Sequence, residues 1–146
     1  MGEIKTTNRQ ILVNAVRTPD GTILRSRHVH DFRSYVDANG HTYEVDGGTS
    51  YLSRGWSSDA PPAEDISVYV GDPHERIREV WDWETRGING GQPPNLIKLR
   101  DMETAHIVNI LNSPVVLSGS IFRLFVAELN HRGVSWDVVT KTSSKL

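Results

Sequence analysis

The sequence predicts an α+β fold: N-terminal antiparallel β-hairpins, then three main helices and a short C-terminal strand. Three observations predict it. Residues 8–47 hold β-rich runs split by turn residues, residues 72–132 carry apolar positions at helical spacing, and Val134, Trp136 and Val138 alternate. A length of 146 residues fits one domain, with a β-hairpin part at 8–47 and a mainly helical part at 48–146.

In the first hairpin, Ile11-Leu12-Val13 leads to Thr18-Pro19-Asp20-Gly21, where proline and glycine suit a tight turn, and residues 22–26 return. In the second, residues 31–36 and 41–45 flank Asp37-Ala38-Asn39-Gly40, and Asn-Gly between β-rich runs signals a hairpin. Asp46-Gly47-Gly48 ends the sheet. Residues 49–54 suit one helical turn, residues 57–64 (SSDAPPAE) a loop, and the alternating residues 65–70 (DISVYV) a further strand.

Asp72-Pro73-His74-Glu75 opens the first helix, with an aspartate N-cap, proline at the first helical position and glutamate three residues after the cap. Ile77, Val80, Trp81 and Glu84 share one face of that helix, with Trp83 well off it. Residues 73–79 alternate in charge, as an exposed helix surface does. A loop over 87–94 follows. A second helix spans 101–112 with Ile107, Ile110 and Leu111 inward. A third spans about 120–132, with Ile121, Leu124, Phe125 and Leu129 as its stripe and Gly133 as its stop.

Composition narrows the function. Hydrophobic residues at 37% and charged residues at 23% suit a globular chain. A net charge of −2 provides no global field for duplex DNA or an anionic membrane, so an anionic ligand requires a local arginine cluster. The absence of cysteine excludes disulfides, thiolate zinc sites and cysteine nucleophiles. The start MGEIKTTNRQ lacks the apolar core of a signal peptide, and the expected location is the cytoplasm.

Two stretches carry the candidate chemistry. Arg25-Ser26-Arg27-His28-Val29-His30-Asp31 sets two histidines at alternate strand positions beside an aspartate, as metal ligands can stand, with His41 the nearest further candidate. The same stretch also reads as a structural polar cluster, or as an anion site through Arg25 and Arg27, since guanidinium groups grip phosphate bidentately. No spacing completes a metal site, and no metal is expected. The second stretch, WDWETRGINGGQPP (81–94), sets two indoles before a glycine-rich loop. Trp81 suits a helix core; Trp83, off the period and near Arg76, with Arg86 before the loop, suits a platform for a nucleobase. Asn89 and Gln92 can donate and accept at a base edge. The glycine spacing matches neither a Rossmann turn nor a P-loop. Ser26 beside His28 and Ser50 near Asp46 are the nearest approach to a nucleophile and base, without an elbow motif or an orienting third group. Neither catalysis nor a cofactor is expected.

Seven strings stand in a distinctive order: SRHVHDF (26–32), YEVDGG (43–48), YLSRG (51–55), EDISVY (64–69), DPHERIREV (72–80), WETRGINGGQP (83–93) and LIKLRDMETAHIVNIL (96–111). This order, over most of residues 22–112, resembles a group of small proteins common in bacteriophage genomes. Proteins that resemble the first half and carry cysteine pairs at the hairpin tips look like zinc ribbons. Here the tips, residues 17–22 and 37–41, have none, so a zinc-ribbon-like pair of hairpins must be held by packing.

The layout is also similar to the phage Thoeris anti-defence proteins that act as signal sponges. The resemblance implies a non-enzymatic oligomer that sequesters cyclic ADP-ribose isomers made by TIR-domain proteins, with pockets between subunits. Some members of that family also hold cyclic oligonucleotides made by CBASS cyclases. It implies Arg27 on phosphate, Trp81 or Trp83 on adenine, and Asn89 or Gln92 at the base edge. Gly91 stands where an amide would be expected in register with Trp81; Arg100 and Arg123 are candidates for a later ligand-binding arginine.

The expectation is therefore a phage anti-defence protein that binds a nucleotide immune second messenger without cleaving it. Its ligand-binding residues are Arg25, Arg27, His28, Trp81, Trp83, Arg86, Asn89 and Gln92. It is expected to be a homo-oligomer in the host cytoplasm, with neither duplex DNA nor membrane as a partner. The alternative is an inhibitor that binds a host defence enzyme directly, anchored by the tryptophans and Arg86. A third reading is a nucleotide hydrolase using His28, His30 and His41.

Overall fold

Antiparallel strands and three helices make up the computed structural model, which describes residues 2–3, 10–85 and 95–136. The fold class is α+β, as the sequence predicts. The chain forms two units, Met1–Asp72 and Pro73–Leu146.

In the first unit the strands are Gly2–Glu3 (β1), Ile11–Arg17 (β2), Ile23–Ser26 (β3), Arg33–Val36 (β4), Thr42–Asp46 (β5), Ser53–Trp56 (β6), Glu64–Asp65 (β7) and Val68–Tyr69 (β8). One sheet has the order β1-β6-β5-β4, a second the order β3-β2-β7, and β8 also pairs with β2. The near-continuous apolar run of β2 follows from its central place: six of its seven residues are buried. Val16, Leu24, Tyr43, Val45 and Trp56 form one core cluster. Both expected hairpins are present, with Val16 opposite Leu24 and Tyr35 opposite Tyr43. Of the helical turn expected over 49–54, only its start is a turn, where the Ser50 and Tyr51 amides donate to the Gly47 carbonyl; residues 53–56 are strand, because Arg54 pairs with Val45 and extends the sheet. The run 65–70 is broken into the two short strands β7 and β8.

Buried polar side chains complete this unit. Asn14 Nδ2 donates to the Asp46 carbonyl at 2.9 Å. Arg54, buried to 4% exposure, donates from Nη1 to Asp65 Oδ1 and to Ser67 Oγ, both at 3.0 Å. Such a cation is tolerated inside only when paired and hydrogen-bonded.

The second unit holds helix His74–Val80 (α1), strands Asp82–Thr85 (β9) and Asn95–Lys98 (β10), a single tight turn at Leu99–Asp101, and helices Thr104–Asn112 (α2) and Gly119–His131 (α3). The first helix begins one residue later than the cap motif implied, with Pro73 at the N-cap position. The Asp72 carboxylate instead accepts from the Tyr69 amide at 2.9 Å. Helix α3 has a side-chain cap: Ser118 Oγ accepts from the Ile121 amide at 3.2 Å. Of the expected inward faces, Ile107, Ile110, Leu124, Phe125 and Leu129 are buried, whereas Leu111 and Ile121 are only half-buried.

The larger correction concerns Trp81 and Trp83. Helix α1 stops at Val80, and residues 82–85 pair antiparallel with 95–98, Trp83 lying opposite Ile97. Side chains two apart on an extended chain share a side, so the indoles meet, whereas helical spacing would separate them. The C-terminal strand has no counterpart at Val134 and Ser135, and Val138 lies outside the described residues.

Candidate functional site

Strands β3 and β4 are end strands of separate sheets, and the hollow beside them is the candidate site. It measures about 360 Å³ and is lined by Ile23, Leu24, Arg25, Arg27, Arg33 and Ser34. Three guanidinium groups and no carboxylate appear among those six. Ile23, also a lining residue, is 57% exposed and offers an apolar surface.

The turn between the strands is built from inside. Ser26 is 1% exposed, and its hydroxyl donates to the Asp31 carbonyl at 2.7 Å and accepts from the Gly48 amide at 2.8 Å. Asp31 Oδ2 accepts from the Arg27 amide at 2.8 Å, and Asp31 Oδ1 accepts from Arg33 Nε at 2.7 Å. Burial alone would raise the Asp31 carboxyl, but these two partners outweigh it and hold the group below its usual range. The carboxylate thus stays ionised and ties the Arg27 backbone to the Arg33 side chain.

Arg25 and Arg27 therefore come together as expected. Arg33 was missed from the sequence, although it follows the SRHVHDF string directly. Arg25, Arg27 and His28 each make further interactions in the chain, so a ligand would share or displace them. The strand ends at Ser26, so His28 and His30 lie on an exposed turn and not at alternate strand positions. No group of three metal-ligating side chains is assembled among the described residues. Ser26, weighed above as a nucleophile, is buried and its hydroxyl is committed to the turn.

Trp81 is 7% exposed and Trp83 is half-buried. Their ring centroids are 6.3 Å apart, and Phe125 lies 5.7 Å from Trp81 and 5.4 Å from Trp83. The three rings pack as an edge-to-face group inside the second unit, which is the core arrangement for Trp81. Arg86, Asn89, Gly91 and Gln92 lie outside the described residues. Arg100 is ion-paired with Glu79 on the surface of the second unit, and Arg123 is exposed on α3.

A second polar cluster was not anticipated. Glu128 has no exposed side-chain surface and accepts from His74 Nε2, Arg78 Nε, Arg78 Nη2 and Arg132 Nε at 2.7–2.9 Å. Burial would raise its carboxyl, but the hydrogen bonds from Arg78, Arg132 and His74 overcome this and bring it down to about 2. All its acceptor capacity is used, so it serves as an anchor between α1 and α3. The signal for it was a glutamate within the apolar stripe 124, 125, 128, 129.

No family model, curated protein or solved structure matches the chain.

Proposed function

We propose that the chain is a phage anti-defence protein that binds and sequesters a nucleotide immune second messenger, a cyclic ADP-ribose isomer or a cyclic oligonucleotide, without cleaving it. The observation that supports this reading is the hollow at β3 and β4: three arginines suit phosphate, and the exposed Ile23 suits the flat side of a ring or ribose. Its volume of about 360 Å³ lies in the roughly 300–1,000 Å³ range of small-molecule sites. In this reading the messenger is held reversibly by a homo-oligomer in the host cytoplasm, and the tryptophans contribute mainly through packing.

Isothermal titration with cyclic ADP-ribose isomers and cyclic di- and trinucleotides tests it. The expected result is saturable binding that Arg27→Ala weakens by about tenfold or more, as loss of a charge-assisted hydrogen bond predicts. The ligand should be recovered intact after the protein is heat-denatured. No heat with any of these compounds, at protein concentrations well above micromolar, overturns the proposal.

The alternative, direct inhibition of a host enzyme, draws on a different surface. Val115, Val116 and Phe122 are exposed in the second unit, Val116 at 94%. A stoichiometric host protein retained on the immobilised chain, and released by Val116→Asp, favours that reading.

A further inference from the structure

We propose that Arg33 is a specificity-determining contact of the hollow, and that it makes the site prefer ligands carrying two phosphate charges over ligands carrying one. The inference rests on the reading of the hollow as a phosphate site. Its basis is the placement of the cations. Arg25 lies on β3 and Arg27 follows that strand directly, whereas Arg33 opens β4 at the end of the other sheet. The three arginines therefore line the hollow from two sheets.

One phosphodiester presents two non-bridging oxygens, which a single fork-shaped guanidinium fills. Three guanidinium groups carry more N–H donors than the two non-bridging oxygens of one phosphodiester can accept, so one diester leaves donors of the hollow unfilled. A pyrophosphate, or two phosphodiesters in one ring, can occupy both sides at once.

The orientation of Arg33 is set before a ligand arrives. Asp31 takes its Nε at 2.7 Å, which leaves the two terminal amino groups of Arg33 to meet a ligand at the hollow it lines. Asp31 is itself held: its side chain is 14% exposed, its other oxygen accepts from the Arg27 amide, and its carbonyl accepts from buried Ser26. Fixing a flexible cation in advance removes part of the ordering cost of binding. Arg33 thus acts on the ligand directly, and Asp31 is its positioning residue.

Titration calorimetry of the wild type, Arg33→Ala, Arg33→Lys and Asp31→Asn separates the outcomes. The probes are 3′,5′-cyclic AMP, with one phosphodiester, and cyclic di-AMP and cyclic ADP-ribose, each with two phosphate charges. The wild type should bind a two-charge probe at least about tenfold tighter than cyclic AMP. Arg33→Ala should lose about tenfold for the two-charge probe and less than about twofold for cyclic AMP, with an unchanged melting temperature. Arg33→Lys and Asp31→Asn should fall between, because they keep the charge and lose the fork or its alignment. If Arg33→Ala leaves two-charge binding intact, or weakens all probes equally, this inference fails while the phosphate site stands. If the wild type binds none of the probes, the reading of the hollow falls and the inference with it.

Discussion

Arg78 grips Glu128 with two parallel hydrogen bonds of 2.9 Å, Nε to Oε1 and Nη2 to Oε2. Arg132 Nε adds a third at 2.7 Å and His74 Nε2 a fourth at 2.9 Å. A carboxylate is the only side chain that accepts at both ends in this way. Glu128→Gln would turn an amide donor toward donors and leave two cations without their counter-charge. Removing one partner of a buried pair costs about 3–5 kcal/mol. Arg78 and Arg132 keep 20% and 17% side-chain exposure, so the lower end, about 3 kcal/mol, is expected. Urea unfolding followed by circular dichroism measures it; a loss under about 1 kcal/mol shows that the cluster contributes little.

The same carboxylate predicts the acid limit of the fold. Its folded value is about 2 against a usual 4.5, so the unfolded chain takes up the proton first as the pH falls. The stabilisation is fully present above about pH 4.5 and is lost between there and about pH 2. Stability measured across that window should fall more steeply in the wild type than in Glu128→Gln. Equal slopes would show that Glu128 is not the group responsible.

The hairpins were legible because their signals are local: Asn39-Gly40 and Pro19-Asp20-Gly21 dictate turns whatever the chain does elsewhere. Arg25 and Arg27 were legible as a cationic pair for the same reason. Arg33 was not, since its value depends on β4 ending one sheet beside β3, which ends another. The stretch 77–85 was misread because Ile77, Val80, Trp81 and Glu84 keep helical spacing across a point where the helix has ended. What ends it is pairing with residues 95–98, a non-local choice that periodicity does not report. Glu128 was overlooked because a charge inside an apolar stripe acquires meaning only once His74 and Arg78, 54 and 50 residues away, join the nearby Arg132 around it.

The indole pair yields a test of packing against binding. Trp83 touches Phe125 edge-on at a centroid distance of 5.4 Å and is half-buried. A fully buried tryptophan cut to alanine costs about 3–5 kcal/mol, so Trp83→Ala should cost about 2 kcal/mol. Combined with Phe125→Leu in a double-mutant cycle, the pair should show a coupling of about 0.5–1.5 kcal/mol. An unchanged melting temperature with a large loss of ligand affinity would instead make Trp83 a binding surface.

Gly48 links the fold to the hollow. Its φ is +52°, and a Cβ there would lie 2.5–2.7 Å from the backbone C, N and O of His28. Its amide also donates to Ser26 Oγ, which holds Asp31. Gly40 is the control, because its φ is +79° but a Cβ there meets nothing within 4 Å. Gly40→Ala should therefore cost only the left-handed backbone penalty, about 1–2 kcal/mol. Gly48→Ala carries a similar penalty and must also push the 27–31 turn away, since the atoms it meets are backbone and cannot rotate aside. It should destabilise by about 3 kcal/mol or more. It should also weaken ligand binding at temperatures where the protein is still folded, because Arg27 and Asp31 move with the turn. Melting curves and titrations of the two variants, compared side by side, check this. Equal stability losses, or full affinity in folded Gly48→Ala, would show that the turn does not depend on this close approach.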